Sequence, residues 1–267
     1  MHGAADVEPV VTAEAPPGPR STALADTTLV IIAFVAIWQL ASWIIGRDIL
    51  PAPVATLRRL GAIMADEDFS RHAWETGRAF GTALVIALLG GLAIGLALGA
   101  HRLSGEVAEP ILVALYSIPK ITLYPVILLL FGLGISAKIA FGVIHGIIPV
   151  AIFTMNAVRS LRGVYFRAAK AMRLSPLQTA ATIIIPATIP EIVSGFRLGF
   201  ALTLLGTLIG EMFASQRGIG YMLVKAMETN DVLTVMALAL LLITLATIAS
   251  AILLSLDRKL HKRALPT

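Results

Sequence analysis

Two cations fall within long apolar segments, where a charged side chain is costly and therefore often functional. Lys120 lies between Pro119 and Pro125. Two prolines this close break a helix, and a broken helix at membrane depth is tolerated where it lines protein or water. The second cation, Arg197, lies roughly 16 Å beyond Pro186 along a straight helix. We therefore predict a water-lined route whose candidate residues are Tyr116, Lys120, Thr122, Asn156 and Arg197.

The same residues also allow structural interpretations. Lys120 could extend from a helical break to the membrane interface while its carbon chain stays in the apolar layer. Arg197 could contact an anionic substrate, satisfy backbone carbonyls or pair with an acid on a neighbouring helix. His145 and Asn156 are single polar groups in one apolar segment, and such groups more often form hydrogen bonds in packing than bind a ligand. The residues alone leave these alternatives open.

Sequence patterns for catalysis and for metal or cofactor binding are missing. The chain has no His-Glu-x-x-His and no Walker A pattern, its 5 histidines are scattered, and it has no cysteine. Without cysteine, no disulfide, iron–sulfur cluster or thiolate metal site can form. No pair of carboxylates recurs at helical spacing within the apolar segments, as acid–base chemistry there would require. We therefore expect no enzymatic activity, no metal and no cofactor in this chain.

The elements that position these residues follow from the composition. Hydrophobic residues make up 57% of the 267 residues and charged residues only 14%, a balance that does not suit a soluble globule. Continuous apolar segments of roughly 20 residues match helices that cross a bilayer, whereas barrel strands would be shorter and alternating. We predict an all-α membrane protein with six transmembrane helices at 27–45, 79–100, 111–133, 137–158, 187–212 and 233–256.

Charged residues between the helices predict their orientation. The connection between the fourth and fifth helices carries five cations and no acid near them, and such connections face the cytoplasm. These cations are Arg159, Arg162, Arg167, Lys170 and Arg173. Alternation through six helices then places both termini in the cytoplasm.

The ends of the chain are expected to lie outside the transmembrane domain, 27–256. Residues 1–26 are rich in proline, alanine and glycine and predict a disordered tail, and 257–267 form a basic tail. The net charge of +5 comes from cations that flank the helices and not from a separate basic domain. We therefore expect contact with membrane lipid and no nucleic-acid binding.

Two further patterns concern packing. The run 53–64 has apolar residues on one helical face, which predicts a helix at the membrane interface. In the second transmembrane helix, Gly91, Gly95 and Gly99 are spaced four apart. This spacing permits a close approach of another helix, so we expect these glycines to serve packing.

The connection 159–186 is too polar to cross a membrane and has the spacing of two short helices. Its cations recur at near-helical intervals and predict a first helix at about 164–172. Ser175, Pro176 and Gln178 suit the N-cap, first and third positions of a second helix, which continues to the next proline. We call this rigid projection the knob (residues 159–186). It either contacts anionic lipid headgroups or fits a groove in a partner protein.

The order of residues in the knob resembles the EAA loop of ATP-binding-cassette (ABC) importer permeases. In that pattern Glu-Ala-Ala is followed after three residues by Gly, and after nine more by Ile-x-Leu-Pro. The knob keeps this spacing with Arg167, Ala168, Ala169, Arg173, Ile183 and Pro186. From about residue 50 to 259 the chain is similar to nitrate, sulfonate and taurine permeases. The supporting stretches are Leu50-Pro51-Ala52-Pro53, SIPKITLYPVILLLFGLG (117–134) and GEMFASQRGIGYML (210–223).

This resemblance implies a type I ABC importer permease fold in a bacterial inner membrane, with the knob as a cytoplasmic coupling loop. It implies separate ATPase subunits that bind ATP, a solute-binding protein outside and a second permease copy. The implied substrate is a small anion such as nitrate, a sulfonate or taurine. A thiamine-pyrimidine precursor, riboflavin or an aromatic acid is the alternative. The residues implied for ATPase coupling are Arg167, Ala168, Ala169, Lys170, Arg173, Leu174, Ser175, Pro176, Ile183 and Pro186.

Two residues of the knob depart from the family pattern. Arg167 stands where the pattern has Glu, and Arg173 where it has Gly. Glycine adopts positive φ freely, so Arg173 implies either a turn with negative φ or strain of about 1 kcal/mol. The reversed charge at Arg167 predicts a carboxylate on the ATPase. On the residues alone, an ion-coupled carrier and a purely structural membrane protein remain alternatives to the permease.

Overall fold

The computed structural model describes residues 20–161 and 163–264. These residues are almost entirely helical, with no strand among them. The helices in chain order are α1 (Arg20–Ile45), α2 (Pro53–Met64), α3 (Glu67–Gly99), α4 (Arg102–Ser117), α5 (Tyr124–Phe131), α6 (Ile135–Arg159), α7 (Gly163–Ala171), α8 (Pro176–Thr179), α9 (Ile185–Ala214), α10 (Ile219–Glu228) and α11 (Val232–Ala264). A 3₁₀ turn (Lys120–Leu123) precedes α5, and a π-helical turn (Ala180–Ile184) joins α8 to α9.

The chain divides into two compact units, residues 1–53 and 54–267. The described part of the first unit is mainly α1, of which Asp26–Ile45 is long and apolar enough to cross a membrane. The Trp38 indole N–H donates to the Pro51 carbonyl over 3.0 Å. This bond folds the segment after α1 back onto the helix that it follows.

The predicted number of spans is confirmed, with one of them broken. Five helices can cross a membrane by length and composition, and a sixth span results if one bent pair is counted as one. That pair, Leu103–Ser117 and Lys120–Phe131, is bent by 83°. Ile118 is extended (ψ 131°), as the residue before a proline prefers, so α4 ends there. The predicted break at the prolines is correct, but this span begins earlier than the predicted 111–133.

Close packing of α3, α6 and α9 forms the centre of the second unit. A Cβ atom placed on Gly95 of α3 would lie 2.5 Å from the Thr154 Cβ of α6. One placed on Gly206 of α9 would lie 2.5 Å from the Phe141 carbonyl oxygen of α6. Only glycine permits these backbone approaches. The predicted packing role is confirmed for Gly91, Gly95 and Gly99, which all meet α6.

The amphipathic segment 53–64 is a helix, as predicted, but only part of its apolar face packs on the protein. Ile63 of α2 is 7% exposed and belongs to a buried cluster with Ile219 of α10 and Leu238 of α11. In contrast, Val54 and Leu57 are 58% and 57% exposed. The helix therefore keeps an apolar surface at its start, as a membrane-interface helix would.

Polar contacts also join α2 to the start of α11. Arg59 of α2 donates to the Thr234 hydroxyl over 2.8 Å and pairs with the Asp231 carboxylate over 3.2 Å. The Thr234 hydroxyl in turn donates to Asp231 over 2.6 Å. The hydrogen bond from the Thr234 hydroxyl, then that from the Thr234 N–H and then the charge of Arg59 hold the pKa of Asp231 below its ordinary value, although burial opposes them. The ionised form of Asp231 therefore stabilises this junction.

Candidate functional site

The knob begins with the predicted first helix, within one residue at each end, and a left-handed turn. Arg173, just beyond α7, has φ 50°. The Leu174 N–H donates to the Ala169 carbonyl over 3.1 Å, and the Arg173 N–H to the Lys170 carbonyl over 3.0 Å. This Schellman arrangement satisfies the last carbonyls of a helix. Of the two predicted alternatives, the turn therefore uses positive φ, with strain of about 1 kcal/mol for a non-glycine residue.

The second helix of the knob starts with the predicted capping pair. The Gln178 N–H donates to the Ser175 hydroxyl over 3.2 Å, and the Ser175 N–H donates to the Gln178 side-chain oxygen over 2.9 Å. Each residue thus satisfies a backbone N–H of the other, which is the capping-box arrangement. Pro176 occupies the first position of α8, where its missing N–H costs nothing.

The knob continues into the next span without a break. The chain is helical from Pro176 to Ala214, with the π-helical turn between α8 and α9. The second helix therefore runs on past Pro186, which lies in the first turn of α9. No non-helical linker therefore separates the second helix of the knob from α9.

One surface of the knob mixes exposed apolar and basic side chains. Leu177 is 80% exposed, Met172 66% and Val164 51%. Large apolar side chains that are exposed together outside a membrane segment mark interaction sites. The predicted coupling residues that share this exposure are Arg167, Ala168, Lys170, Arg173, Ser175, Pro176 and Pro186.

The opposite surface of the knob faces the ends of α3 and α6. Ala169 is only 4% exposed, and Leu174 and Ile183 are half-buried. Between the knob and the helix ends lies an apolar cavity of about 310 Å³. Its lining includes Leu96, Val158, Ala169, Leu174, Pro176 and Ile184. Ala169, Leu174 and Ile183 thus face inward, whereas Lys170 and Pro176 are exposed and also border this cavity.

The first residue of the knob also contacts α4. The Arg159 guanidinium lies 2.6 Å from the Glu109 carboxylate. Its side chain crosses Gly105, where a Cβ would lie 2.7 Å from the Arg159 Cδ. The base of the knob is therefore attached to α4, the first half of the broken span. This pair is not predictable from local sequence patterns, because the partners are 50 residues apart and on different spans.

The broken span turns its polar side chains to nearby backbone. The Lys120 ammonium donates to the Tyr116 carbonyl over 2.9 Å and lies 4.9 Å from the centroid of the Tyr116 ring. The Thr122 hydroxyl donates to the Pro119 carbonyl over 2.7 Å. These contacts satisfy carbonyls that the broken helix leaves free. Tyr116, Thr122 and Asn156 are all exposed in the single chain.

Arg197 lies apart from the other candidates for a water-lined route. It lines a cavity of about 680 Å³ between α6, α9 and α11, together with Phe153, Ser194, Thr247 and Ser250. None of the other four candidates belongs to the lining of this cavity. His145, by contrast, is buried, and its ring nitrogen Nδ1 lies 2.7 Å from the Phe141 carbonyl oxygen. This contact agrees with the packing role expected for His145.

A buried ion-pair cluster joins α3, α6 and α9 at their ends opposite the knob. The Lys138 side chain of α6 is 1% exposed, and its ammonium donates to the Glu75 carboxylate over 3.2 Å. It also donates to the Arg217 carbonyl over 2.8 Å and lies 3.8 Å from the Glu211 carboxylate. A lysine buried this deeply needs such partners, because an unpaired charge would be expensive.

Glu211 of α9 is the fully buried acid of this cluster. It accepts a hydrogen bond from the Thr76 hydroxyl over 2.8 Å and from the Gly220 N–H over 3.0 Å. The same hydroxyl accepts from the Ile219 N–H over 2.9 Å. These bonds fix the start of α10 to the core. In the sequence, the opposite charges of Lys138 and Glu211 near the ends of two predicted spans are a usable signal for this cluster.

Comparison with known proteins places this arrangement among transporter subunits. Residues 87–262 match the family model described as binding-protein-dependent transport system inner membrane component. The chain is 28% identical to the putative aliphatic sulfonates transport permease protein SsuC of Bacillus subtilis, over 85% of this chain and 83% of that protein. It is 28% identical to the taurine transport system permease protein TauC of Escherichia coli, over 78% of each chain.

A third relative is named for a different substrate. The formylaminopyrimidine transport permease protein ThiX of Halalkalibacterium halodurans is 25% identical, over 79% of this chain and 85% of that protein. Among solved structures, an inward-facing MetNI methionine ABC transporter gives a TM-score of 0.63 at 18% identity, covering 72% of this chain and 95% of that one. This similarity confirms the predicted helical fold.

The match covers well over half of the chain and includes the spans α6, α9 and α11 with the knob between them. ATP hydrolysis in this family lies in separate subunits, so the chain is a transport subunit and not an enzyme. The chain therefore belongs to the binding-protein-dependent transport system inner membrane components, as the multi-pass type I permease of an ABC importer.

Proposed function

We propose that the knob docks on the ATPase subunits of this importer and that the chain forms part of the path for a small anion. The exposed surface of the knob carries this proposal. Leu177 and Met172 are exposed beside three cations, on a turn whose backbone is held by the Schellman bonds and the capping box. A rigid apolar surface with a charged rim suits a protein partner, because little ordering is needed on binding.

The charge of this surface specifies the groove that accepts it. Arg167, Lys170 and Arg173 are exposed, and they require carboxylates on the ATPase at the rim of the contact. Lipid headgroups also attract cations, and recovery of the ATPase with the variants described below separates the two occupants. Arg159 and the continuous helix through α9 then carry movement of the knob to α4 and to the core.

The proposed orientation follows from docking on a cytoplasmic ATPase. The knob faces the cytoplasm, both termini lie on the same side, and the cluster around Lys138 lies outside. Lipid surrounds most of the exposed apolar surface, such as Leu129 and Leu130, which are 87% and 73% exposed. A solute-binding protein delivers the substrate to the outer side.

A second copy of the chain completes the path. Tyr116, Thr122 and Asn156 are exposed in span segments of the single chain, and Lys120 is half-buried there. Polar groups at membrane depth are costly against lipid and acceptable against protein or water. We therefore expect the second copy to cover this surface and enclose the path between the two chains, with Arg197 in its cavity as a further anion contact.

The substrate we propose is a small anion of the sulfonate, taurine or nitrate type. Two of the relatives described above are named as sulfonate and taurine permeases, and Arg197 and Lys120 suit a negative charge. A thiamine-pyrimidine precursor is the second candidate, because another relative is named as a formylaminopyrimidine permease. Membership of the ABC permease family leaves no place for an ion-coupled carrier.

Co-purification with the ATPase tests the docking proposal. Wild-type permease, Leu177→Asp, Arg167→Glu and the control Arg71→Glu would each be expressed with the cognate ATPase. Arg71 is an exposed cation of α3 (73% side-chain exposure) far along the chain from the knob. Leu177→Asp and Arg167→Glu should each reduce the ATPase recovered with the permease by about tenfold, or about 1.4 kcal/mol.

The control variant should recover as much ATPase as the wild type. If all four proteins bind the ATPase equally, the knob is not the docking element. The substrate is identified separately, by measuring which metabolite raises the melting temperature of the cognate solute-binding protein. Stabilisation by a pyrimidine and not by an anion would favour the second candidate.

A further inference from the structure

A cavity of about 600 Å³ lies at the ends of α6 and α9 opposite the knob. It combines charged and apolar side chains. Its lining includes Glu75, Leu133, Lys138, Phe213, Gln216 and Arg217. The knob lies between α6 and α9, and these two helices also frame this cavity. A ligand held here is in contact with both elements that lead to the ATPase side.

The charges around this cavity do not cancel. Lys138 is paired with Glu75 and lies close to Glu211, and Glu75 also pairs with Arg78 over 3.3 Å. Glu75 therefore contacts both Lys138 and Arg78, and Glu211 lies near Lys138. Arg217 adds a third cation to the group. One positive charge remains in excess, which favours an anion over a neutral or cationic ligand.

Arg217 has a fixed backbone and an available head group. Its carbonyl accepts from Lys138 over 2.8 Å, and its N–H donates to the Ser215 hydroxyl over 2.9 Å. Within residues 20–161 and 163–264, its guanidinium has no hydrogen-bond or ion-pair partner. A guanidinium offers five N–H donors in a planar fork that matches the oxygens of an oxyanion.

Apolar side chains lie on the same cavity wall. Leu133 is 77% exposed and Phe213 is 46% exposed. Neither belongs to a buried cluster, so both remain accessible to a small ligand. A short alkyl group attached to an oxyanion could pack on these two side chains while its charged end meets Arg217. A bare inorganic anion would contact Arg217 but would gain no contact with Leu133 and Phe213.

We propose that this cavity is the first binding site for the transported anion on the permease, with Arg217 as the residue that holds its oxyanion group. Lys138 keeps the Arg217 backbone in place and is a positioning residue. The proposal rests on the proposed function, in that the substrate is taken to be an anion. Arg217 and this cavity are distinct from the candidate path residues Lys120 and Arg197. Because an alkyl group gains contact with Leu133 and Phe213, ethanesulfonate should bind more tightly than nitrate.

Transport and binding by the assembled importer test this site. The full complex of permease and ATPase is reconstituted in lipid nanodiscs for binding, and with the solute-binding protein in liposomes for transport. Ethanesulfonate and nitrate are the probes. The permease variants are Arg217→Gln, Arg217→Lys and the control Arg71→Gln, which removes an exposed cation paired with Asp68 on the same side of the protein.

Arg217→Gln should weaken ethanesulfonate binding to the complex by about tenfold, the effect of losing a charged bidentate contact. It should lower the transport rate at subsaturating ethanesulfonate to a similar extent. Arg217→Lys should recover part of the loss, and the control should match the wild type. ATPase recovery should not change, because Arg217 lies just beyond the end of α9 that is opposite the knob.

Two results would overturn the proposal. One is wild-type binding and transport by Arg217→Gln in a complex that retains its ATPase, which leaves the docking function intact. The other is unchanged anion binding with weaker binding of the solute-binding protein, which assigns Arg217 to protein docking. Failure of the ATPase to co-purify with any permease is a different outcome and contradicts the proposed function itself.

Discussion

Replacing Lys138 with methionine should lower the stability of the protein by about 3 kcal/mol. Breaking a buried ion pair by removing one partner typically costs about 3–5 kcal/mol, because the other charge stays buried. The lower end applies here for two reasons. Glu75 is 18% exposed and keeps Arg78, and the fully buried Glu211 keeps two hydrogen bonds from Thr76 and Gly220.

Tryptophan fluorescence during heating of the purified permease in detergent measures this loss, since the chain has 3 tryptophans. About 3 kcal/mol corresponds to a fall in Tm of about 6–12 °C for a protein of this size. All variants are heated at one fixed rate, because unfolding of such proteins is commonly irreversible. Lys225→Met, at an exposed lysine of α10, is the matched control and should change Tm little.

A second substitution separates the charge effect from lost packing. In Lys138→Met/Glu211→Gln the glutamine oxygen can still accept from Thr76 and Gly220, and no unpaired charge remains at this position. The double variant should therefore recover at least half of the lost Tm. The reasoning is refuted if Lys138→Met melts within about 2 °C of the wild type. It is also refuted if the double variant is as unstable as the single one.

Three further outcomes are expected. Gly95→Ala should destabilise the α3–α6 contact by about 1–3 kcal/mol through overpacking, whereas Gly81→Ala, which meets nothing within 4 Å, should be neutral or stabilising in the same melting assay. Arg173→Gly should stabilise the knob by about 0.5–1 kcal/mol, because the relief of left-handed strain outweighs the conformational entropy that glycine adds to the unfolded chain. Proteolysis of the knob should slow accordingly. Asp231→Asn should lower Tm at neutral pH, and the difference from the wild type should shrink in acid. The pKa of Asp231 in the folded protein lies below its ordinary, unfolded value. The stabilisation is therefore complete at pH above the ordinary pKa and is lost as the pH falls through the lowered pKa.

The knob was largely predictable because its structure depends on residues close together in the chain. The Ser175 and Gln178 cap follows from a spacing of three, and the cations of the first helix recur at helical intervals. The sign of φ at Arg173 was not predictable in the same way. The residue type favours negative φ, and the turn became left-handed because the Schellman bonds and the contact with α3 and α6 outweigh that preference.

Polarity and the position of nearby prolines indicate the candidate route residues in the sequence, whereas the structure separates them. Lys120 and Thr122 contact carbonyls within four residues, while Arg197 lines a different cavity between α6, α9 and α11. Polarity within an apolar segment indicates that a side chain needs a partner. It does not indicate which neighbour supplies that partner, because this depends on the rotation and depth of each helix.

The sequence by itself determined the membrane class, the number of spans, the break at the prolines and the position of the knob. Each of these follows from apolar length, proline chemistry or local spacing, which act within one segment of the chain. Only the tertiary structure decided that Lys138 lies between Glu75 and Glu211, that Arg159 reaches Glu109, and that Arg217 borders an open cavity. Those contacts join segments distant in the chain, and the close approach of α3, α6 and α9 at their glycines sets which charges meet.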